Sequence, residues 1–448
     1  MVLRRLLTGL AAGAPVPVLP VAGLGTRDAL RELRIRAELR PVDVPAAASV
    51  LVAAGSIPEE FGDPLTLLHD GMPHPRAVVW WNPGDSAGPL LRRFADPTVV
   101  YGSADELVSA VVRVFRDLYS GHGPSSDPVV AGTGRAPWEG VGPYGQGGSG
   151  MTGGVPYGRP MAEVAPDRDG LRLDVVPLTV GPFFPQFPPG LRLEATFSGD
   201  VVVHCLPLVN PFVDIARGDL TIRPGLDVFF RALFEPVPIA ELELARARDH
   251  LVWLADALTA HGLPALGLRA LRLTHALGGT SAVPGVRRLS RAIEWSQVLR
   301  WSTRGVGRFD AAGRTSLGGC GPVARAAGLP DDARMEDAAY RALGFEPIVQ
   351  DAADAAARWR QRLAEVVQSL ALARSAGAQR SKVTGQVESP RGLLTAGSAP
   401  ASRLLPLLPG LLEGLEWGDA VATIVSLDID LEEAGLAERL ASAQAGTT

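Results

Sequence analysis

Residues 48–81 read ASVLVAAGSIPEEFGDPLTLLHDGMPHPRAVVWW, and this stretch decides how the first part of the chain folds. The apolar runs at 48–57 and 75–81 have the length and composition of buried strands, and the segment between them has helical spacing. A strand, a helix and a second strand in succession predict parallel pairing. An amphipathic helix is expected next, at 103–119, with Ser103 as its N-cap. The pattern favours an α/β, flavodoxin-like N-terminal domain.

The composition changes after this helix. Glycine, proline and serine dominate residues 121–157, where no hydrophobic period survives, and this indicates a linker or a surface-bound arm. We therefore expect three parts: an α/β domain at 1–120, the linker at 121–157, and a second domain at 158–448.

The second domain combines strands with long helices. Two strand-like runs, at 171–183 and 190–208, predict a β-hairpin that opens the domain, with a turn at Ser198-Gly199-Asp200. Residues 239–260 and 352–373 are long, amphipathic and rich in helix formers. The sequence predicts an α+β fold with a β-hairpin sheet and a long-helix bundle.

Composition limits the functions that are open to the chain. Its 448 residues, 46% of them hydrophobic, are enough for two or three cores. The net charge is −5 and like charges form no blocks, so the sequence has no electrostatic footprint for nucleic acid. Two cysteines, Cys205 and Cys320, are too few for a disulfide framework or for the four thiolates of a usual iron–sulfur cluster.

The N-terminal residues 1–23 combine a basic start with an apolar run that resembles a signal peptide. Three prolines, Pro15, Pro17 and Pro20, interrupt any helix long enough to span a bilayer. We expect a soluble protein or one that is peripheral to a membrane.

Three segments of the second domain, in chain order, resemble the large subunit shared by respiratory complex I, where it carries the quinone site, and the membrane-bound nickel–iron hydrogenases. VGPFFPQFPPGLRLEATFSGDVV (180–202) is similar to the opening hairpin of that family. GPVARAAGLPDDAR (321–334) and GQVESPRGLL (385–394) are similar to two further family motifs. A fourth motif, E-R-x-x-x-H-L, is matched by Arg246 and His250, with Ala245 in place of its glutamate. The resemblance covers roughly residues 168–435.

The N-terminal part resembles the small, cluster-carrying subunit of the same complexes through residues 48–84. There a strand, a helix and an M-P-x-P-R turn precede a second strand and a cysteine. The resemblance implies a small and a large subunit fused in one chain, but no cysteine occurs before Cys205 to hold the small subunit's cluster.

The stretch VSLDIDLEE (425–433) lies where the hydrogenases end in S-x-D-P-C-x-x-C, so the resemblance places Asp430 and Glu433 at the two cysteine positions. Hard carboxylates do not replace the thiolates that nickel and iron need in such a site. We expect no cofactor, neither a nickel–iron centre nor an iron–sulfur cluster. An alternative remains: on a strand, Asp428, Asp430 and Glu432 would share a face and could bind a hard divalent cation.

The resemblance also implies a vestigial pocket or docking element. In the family, a histidine of the opening hairpin contacts the quinone. Its position falls within FFPQFPP (183–189), which has phenylalanines and prolines instead. We expect this segment to expose its phenylalanines. On its helix, His250 is expected to be a buried hydrogen-bonding residue, and Glu388 and Arg391 are expected to bridge a loop to the bundle. The candidate residues are Phe183, Phe184, Phe187, His250, Glu388 and Arg391.

Two functions follow from the resemblance. In the first, the chain is a cofactor-free structural or coupling subunit, peripheral on the cytoplasmic face of the membrane. Its partners would be integral membrane subunits of the complex I or antiporter type and other peripheral-arm subunits. In the second, it is a quinone-binding subunit of an NADH-quinone oxidoreductase-type or hydrogenase-type complex and receives electrons from another chain. A metal-dependent enzyme built on the carboxylates is a third possibility.

Overall fold

The computed structural model describes residues 11, 13–120, 163–213, 222–223, 225–278 and 282–445. The predicted linker at 121–157 lies outside the described residues.

The N-terminal part forms a five-stranded sheet in which each strand is parallel to its neighbours. The strands are β1 Val16–Ala22, β2 Leu39–Pro41, β3 Val50–Ala54, β4 Ala77–Trp81 and β5 Thr98–Val100. Their order across the sheet is β2-β1-β3-β4-β5, the strand order of flavodoxin-like folds. Strands β3 and β4 pair in parallel with Val50 opposite Ala77. This confirms the strand–helix–strand prediction.

Both faces of the sheet are covered. The helices of this part are α1 Arg27–Glu32, α2 Gly62–Asp70, α3 Gly88–Leu91 and α4 Ala104–Ser120. Val50 and Val52 of β3 belong to one apolar core with Leu107 of α4, whereas Leu51 belongs to the opposite core with Leu65 of α2. Burial on both faces explains why β3 is a continuous apolar run.

The start of α4 carries the predicted cap. The Ser103 hydroxyl oxygen accepts a hydrogen bond from the backbone N–H of Glu106 at 3.4 Å. The Glu106 carboxylate in turn accepts one from the backbone N–H of Ser103 at 2.6 Å. This reciprocal pair is a capping box.

Strand β1 was not predicted. It pairs with β2 on one side and β3 on the other, although Pro17 and Pro20 lie within it. Proline inside a sheet is uncommon because it has no N–H to donate. The prolines and the basic start directed the prediction away from a strand, and residues 16–22 instead belong to the sheet.

An antiparallel sheet opens the second part of the chain. Its order is β6-β7-β8-β9, with β6 Val164–Pro166, β7 Arg172–Val180, β8 Leu193–Ser198 and β9 Val201–Pro207. The β8–β9 hairpin turns at Gly199, which has φ +59°, a conformation that glycine adopts without strain. The predicted hairpin is confirmed. On β9, Cys205 is buried and the exposed His204 lies 2.8 Å from Glu413.

Helices form most of the remaining fold. They are α5 Asp227–Ala232, α6 Ile239–Ala260, α7 Pro264–Thr274, α8 Ala282–Ser296, α9 Val298–Thr303, α10 Ala311–Thr315, α11 Gly321–Arg325, α12 Ala338–Ala342 and α13 Ala355–Ser375. The long helices α6 and α13 were predicted, and they pack against each other as the centre of the bundle. Trp253 of α6 meets Trp359 of α13 with 4.7 Å between ring centroids.

The last part returns to the bundle. A two-stranded hairpin, β10 Gln386–Ser389 with β11 Gly392–Thr395, precedes α14 Pro400–Leu404, α15 Leu408–Leu412, α16 Trp417–Leu427 and α17 Leu431–Ala445. Helix α16 packs on both α6 and α13. In the part of the chain that the structure describes, no helix has the length and apolar character needed to cross a bilayer.

The two parts of the chain are in contact. Asp256 of α6 pairs with Arg31 of α1 and with Arg34, which lies just after that helix. Glu60 pairs with Arg192 at 2.9 Å. These contacts place α1 against the centre of the bundle, beside the junction of α16 and α17.

Candidate functional site

The acidic stretch 425–433 forms the junction between α16 and α17. Helix α16 ends at Leu427, Asp428 takes a left-handed backbone conformation (φ 54°, ψ 49°), and α17 begins at Leu431. The prediction that Asp428, Asp430 and Glu432 share one face of a strand is therefore wrong. The apolar residues before the junction recur at helical spacing and pack into the core, and this pattern sets the local structure.

All four carboxylates of this stretch are buried. Asp428, Asp430 and Glu432 are 3–5% exposed and Glu433 is 0% exposed. An ionised carboxylate inside a protein is strongly unfavourable unless it is paired. Arginine supplies the pairing. We call the assembled group the junction cluster: the carboxyl groups of Asp28, Asp249, Asp428, Asp430, Glu432 and Glu433, with the guanidinium groups of Arg223, Arg362 and Arg391.

Arg391 brings one positive charge into the cluster from the turn between β10 and β11. Its guanidinium nitrogens lie 3.0 Å from Asp249, 3.4 Å from both Asp428 and Asp430, and 3.9 Å from Glu433. The single guanidinium group therefore contacts both positions that the resemblance assigns to metal-binding cysteines.

The backbone beside Arg391 approaches a neighbouring loop closely. A Cβ on Gly392 would lie 2.3 Å from the carbonyl oxygen of Gly319, so only glycine fits there. This close contact fixes the turn that carries Arg391 against the segment leading into α11.

Arg223 brings a second charge from the segment that precedes α5. Its Nη2 lies 2.6 Å from the Asp430 carboxylate, and the side chain also approaches Asp28 and Asp249 at 3.5 Å. Arg223 is not predictable from the sequence, because the surrounding residues show no periodicity or motif.

Arg362 of α13 holds the end of α16. It donates hydrogen bonds to the carbonyl oxygens of Ser426 and Leu427 at 2.9 and 3.1 Å, and it lies 3.8 Å from Asp428. Arg358, one turn earlier, donates to the Ser426 hydroxyl at 2.8 Å. Cations at a helix C-terminus satisfy its free carbonyls and stabilise its dipole.

The N-terminal part of the chain completes the cluster. The backbone N–H of Gly25 donates to the Glu432 carboxylate at 3.1 Å. Asp28, at the start of α1, lies near Arg223. The cluster therefore sits where the parallel-sheet part and the helix bundle meet.

Carboxyl groups outnumber guanidinium groups in the cluster, and the pKa values reflect this. Burial, reinforced by the charge of Asp430, raises the pKa of both Glu432 and Glu433 to about 7. Burial acts on Asp430 in the same direction, but Arg223 and Arg391 outweigh it and hold its pKa below the usual value. Two carboxyl groups of the cluster thus exchange protons near neutral pH.

A second buried network lies deeper in the bundle and contains Glu388 and His250. We call it the inner network. Its centre is Arg325, which pairs with Asp332 at 2.7 Å, Glu388 at 2.8 Å and Glu365 at 2.9 Å. His250 Nε2 lies 3.3 Å from Glu365. Burial lowers the pKa of His250, so the ring is neutral at pH 7 and Nε2 carries the proton that Glu365 accepts.

The inner network is extended by Arg334, which pairs with Asp332 at 2.7 Å and with Glu243 at 3.2 Å. Arg246 donates to the carbonyl oxygens of Glu388 and Ser389 at 2.6 and 2.7 Å. The network connects α6, α11 and α13 to the β10–β11 hairpin.

The phenylalanine hairpin differs from its prediction. Phe187 is 5% exposed, and its ring meets Phe184 and Trp417 at centroid distances of 4.9 and 6.0 Å. Phe183 is half-buried and packs edge-on against Phe61, 5.7 Å away. The expected exposure of these rings is wrong, because both parts of the chain supply aromatic partners that the hairpin sequence does not reveal.

Two small cavities lie beside the hairpin and the junction cluster. One, of about 40 Å³, is lined in part by Trp253, Asp256 and Asp428. The other, of about 120 Å³, is lined by Phe183, Phe184 and Phe187 with residues of α1. Ligand sites usually measure about 300–1,000 Å³, so both cavities are far below that range.

A nickel–iron centre does not fit these residues. The two positions assigned to its ligands carry carboxylates, and both contact Arg391. Burial raises the pKa of Cys205 to about 11 and that of Cys320 to about 12, so both thiols are protonated at neutral pH and are poor metal ligands. Within the described ranges, no group of three or more His, Cys, Asp or Glu side chains is arranged to hold a metal ion.

Comparison with known proteins finds a related segment. Residues 283–397 match the family model described as respiratory-chain NADH dehydrogenase, 49 Kd subunit. The segment is similar to that protein. It contains Arg325, Glu365, Glu388 and Arg391, and therefore most of the inner network and one cation of the junction cluster.

Individual relatives of this chain are also subunits of NADH-quinone oxidoreductases. An NADH-quinone oxidoreductase subunit from Mycobacterium sp. (strain KMS) is 35% identical over 91 residues, which is 20% of this chain and 20% of the relative. Another NADH-quinone oxidoreductase subunit, from Salinispora arenicola (strain CNS-205), is 35% identical over 115 residues, 24% of this chain and 30% of the relative. The chain thus aligns with less than a third of the length of these relatives.

Among solved structures, the membrane-bound sulfane sulfur reductase, an archaeal respiratory membrane complex, includes a chain that aligns with 58% of this protein and 98% of its own length. The TM-score is 0.44 and the sequence identity is 18%.

Proposed function

We propose that this chain is a redox-inactive structural subunit of a membrane assembly related to respiratory complex I and the membrane-bound hydrogenases. The observation that carries the proposal is the position of Arg391, between Asp430 and Glu433. A guanidinium group stands between the two residues that the resemblance assigns to metal ligands. Both assigned positions therefore carry carboxyl groups that face the chain's own arginine instead of a metal.

The inner network supports a structural role, because it holds the helices of the bundle in a fixed arrangement. It lies largely in the segment that is similar to the 49 kDa subunit, and it ties three helices to the β10–β11 hairpin. Buried pairs of this kind are strongly destabilising when one partner is removed. A frame held by such pairs fits a protein whose role is to dock on its neighbours.

The proposed partners are integral membrane subunits of the complex I or antiporter type, together with other subunits of a peripheral arm. The similarity to subunits of NADH-quinone oxidoreductases supports this choice of partner class.

Isolation of the assembly tests the proposal. The chain would carry an affinity tag in its own host, the membranes would be extracted in a mild detergent, and the eluted polypeptides would be quantified by mass spectrometry. We expect integral membrane subunits of the complex I type in stoichiometric amount. A monomeric chain recovered entirely from the soluble fraction would contradict the proposal.

The alternative is a quinone-binding subunit, and one observation favours it. The cavity of about 120 Å³ lies at the meeting of the two parts of the chain and is lined by the hairpin that resembles the family's quinone-contacting hairpin. A photoreactive quinone analogue distinguishes the two functions. Labelling of the 180–190 segment that excess ubiquinone prevents would favour the alternative, and unlabelled protein in an intact assembly would favour the structural role.

A further inference from the structure

Helices α8 and α9 carry two tryptophans that are almost completely exposed. Trp295 is 90% exposed and Trp301 is 82% exposed. Both lie in the segment 282–308, and neither belongs to the junction cluster or the inner network. Single exposed apolar side chains are common on protein surfaces, so the meaning of these two indole rings depends on the residues beside them.

The exposed face of α8 is a regular stripe. The residues that α8 buries include Val286, Leu289 and Ile293. On the opposite face, Arg288, Arg291 and Trp295 follow at i, i+3 and i+7, the spacing that aligns side chains along one side of a helix. Two basic side chains and an indole ring therefore form one outward-facing row.

Helix α9 continues this arrangement. It buries Leu299 and Thr303 and exposes Trp301, which lies two positions after Leu299 and thus on the opposite side. Arg304, three positions after Trp301, is also exposed. We call the outward-facing residues the α8–α9 surface: Arg288, Arg291, Trp295, Trp301 and Arg304.

The charge of this segment contrasts with that of the whole chain. Residues 282–308 contain six arginines and one glutamate, whereas the formal net charge of the protein is −5. The six are Arg287, Arg288, Arg291, Arg300, Arg304 and Arg308. Within the described part of the chain, none of the six lies in an ion pair with a carboxylate. Their charge is therefore available to an external anionic partner.

We propose that the α8–α9 surface binds the headgroup region of an anionic lipid bilayer. Indole rings favour the boundary between headgroups and acyl chains, and arginines are attracted to lipid phosphates. A basic, amphipathic surface with protruding tryptophans has the composition of segments that lie in this boundary. This inference rests on the surface's own residues and goes beyond the proposed function.

The form of the surface favours a bilayer over a protein partner. Protein interfaces have a contiguous apolar core surrounded by a polar rim. Here Trp295 and Trp301 are the only large apolar side chains exposed in the described part of the segment. Isolated indole anchors among cations match the chemistry of headgroups.

Vesicle co-sedimentation of the purified full chain tests the proposal. The probes are vesicles of phosphatidylcholine alone and vesicles that also contain phosphatidylglycerol. The variants are R288S/R291S and W295S/W301S. The matched controls are R113S/R116S, which removes an equally spaced, exposed arginine pair from α4, and Y101S/F234S, which removes exposed aromatic rings elsewhere.

We expect the wild type to bind the anionic vesicles, and to bind them less at high salt than at low salt. Loss of two arginines should weaken binding about 30-fold. The tryptophan variant should weaken binding even at low salt, and both controls should bind like the wild type. Thermal unfolding of each variant checks that these exposed substitutions leave the fold intact.

Three outcomes would overturn the inference: no binding of the wild type to anionic vesicles at low salt, equal binding to both vesicle types, or equal weakening by R113S/R116S. In the first of these outcomes, crosslinking of the α8–α9 surface to a neighbouring protein would identify a protein interface there. Because the vesicles contain no protein, this failure is distinct from failure of the proposed function, which is tested by the polypeptide composition of the assembly in detergent.

Discussion

The guanidinium group of Arg223 lies 2.6 Å from the carboxylate of Asp430, and the two side chains are only 1% and 4% exposed. The residues are 207 positions apart in the chain. Their pairing fixes the start of α17 against the segment before α5. It also supplies positive charge to a position where the resemblance places a metal ligand.

Removal of Arg223 should leave the Asp430 carboxylate buried with Arg391 alone, of these two arginine partners, to balance its negative charge. We expect Arg223→Met to lower the free energy of unfolding by about 3–5 kcal/mol, the usual cost of breaking a buried pair on one side. Urea unfolding followed by circular dichroism measures this. The double variant R223M/D430L should be less destabilised than R223M, since it removes both charges.

The control for this experiment is Arg168→Met, which removes an exposed partner of Glu416; the two side chains are 62% and 49% exposed. It should cost less than about 1 kcal/mol. If Arg223→Met and Arg168→Met have the same small effect, Arg223 does not organise the junction.

Glu433 should make stability depend on pH near neutrality. Its pKa is about 7 in the folded protein against an ordinary 4.5. A raised pKa means that the folded state holds the proton more tightly. The resulting stabilisation is complete below the ordinary pKa and is lost as the pH rises through the folded value.

The variant Glu433→Gln cannot lose this proton. We therefore expect its stability relative to the wild type to increase from about pH 5 to about pH 8, by at most about 3 kcal/mol. Thermal melts across this range measure the difference. Glu346→Gln, on the surface, removes the same charge without touching the junction cluster. A constant difference for Glu433→Gln would show that this carboxyl does not titrate in the junction.

Phe187 should contribute to stability rather than to an exposed contact. Its ring is buried against Phe184 and Trp417. We expect Phe187→Ala to lower the free energy of unfolding by about 3–5 kcal/mol. Phe234→Ala, at a side chain that is 54% exposed, should change it by no more than about 0.5 kcal/mol. Equal stability of the two variants would show that the hairpin is not packed as described.

Local patterns were sufficient for much of the fold. The apolar runs of β3 and β4, the capping box at Ser103 and the helical periodicity of α6 and α13 are all readable over short windows. Strand β1 was missed because its prolines are unusual in a sheet, and its pairing with β2 and β3 is a tertiary property.

The candidate site was less accessible from sequence. The motif around Arg391 was recognised, but its contact with Asp430 depends on the fold of α16 and α17. Arg223 belongs to no motif. The basic surface on α8 and α9 was also missed, because its arginines are spaced at helical intervals and do not form a continuous run of like charge.

Elemental analysis of the protein purified anaerobically from its own host measures whether the junction cluster holds a metal. We expect neither nickel nor iron in near-stoichiometric amount, because Asp430 is paired with Arg391 and Arg223 and no thiolate set surrounds it. Near-stoichiometric nickel or iron, removed together with a loss of Asp430 or Glu433, would contradict this expectation.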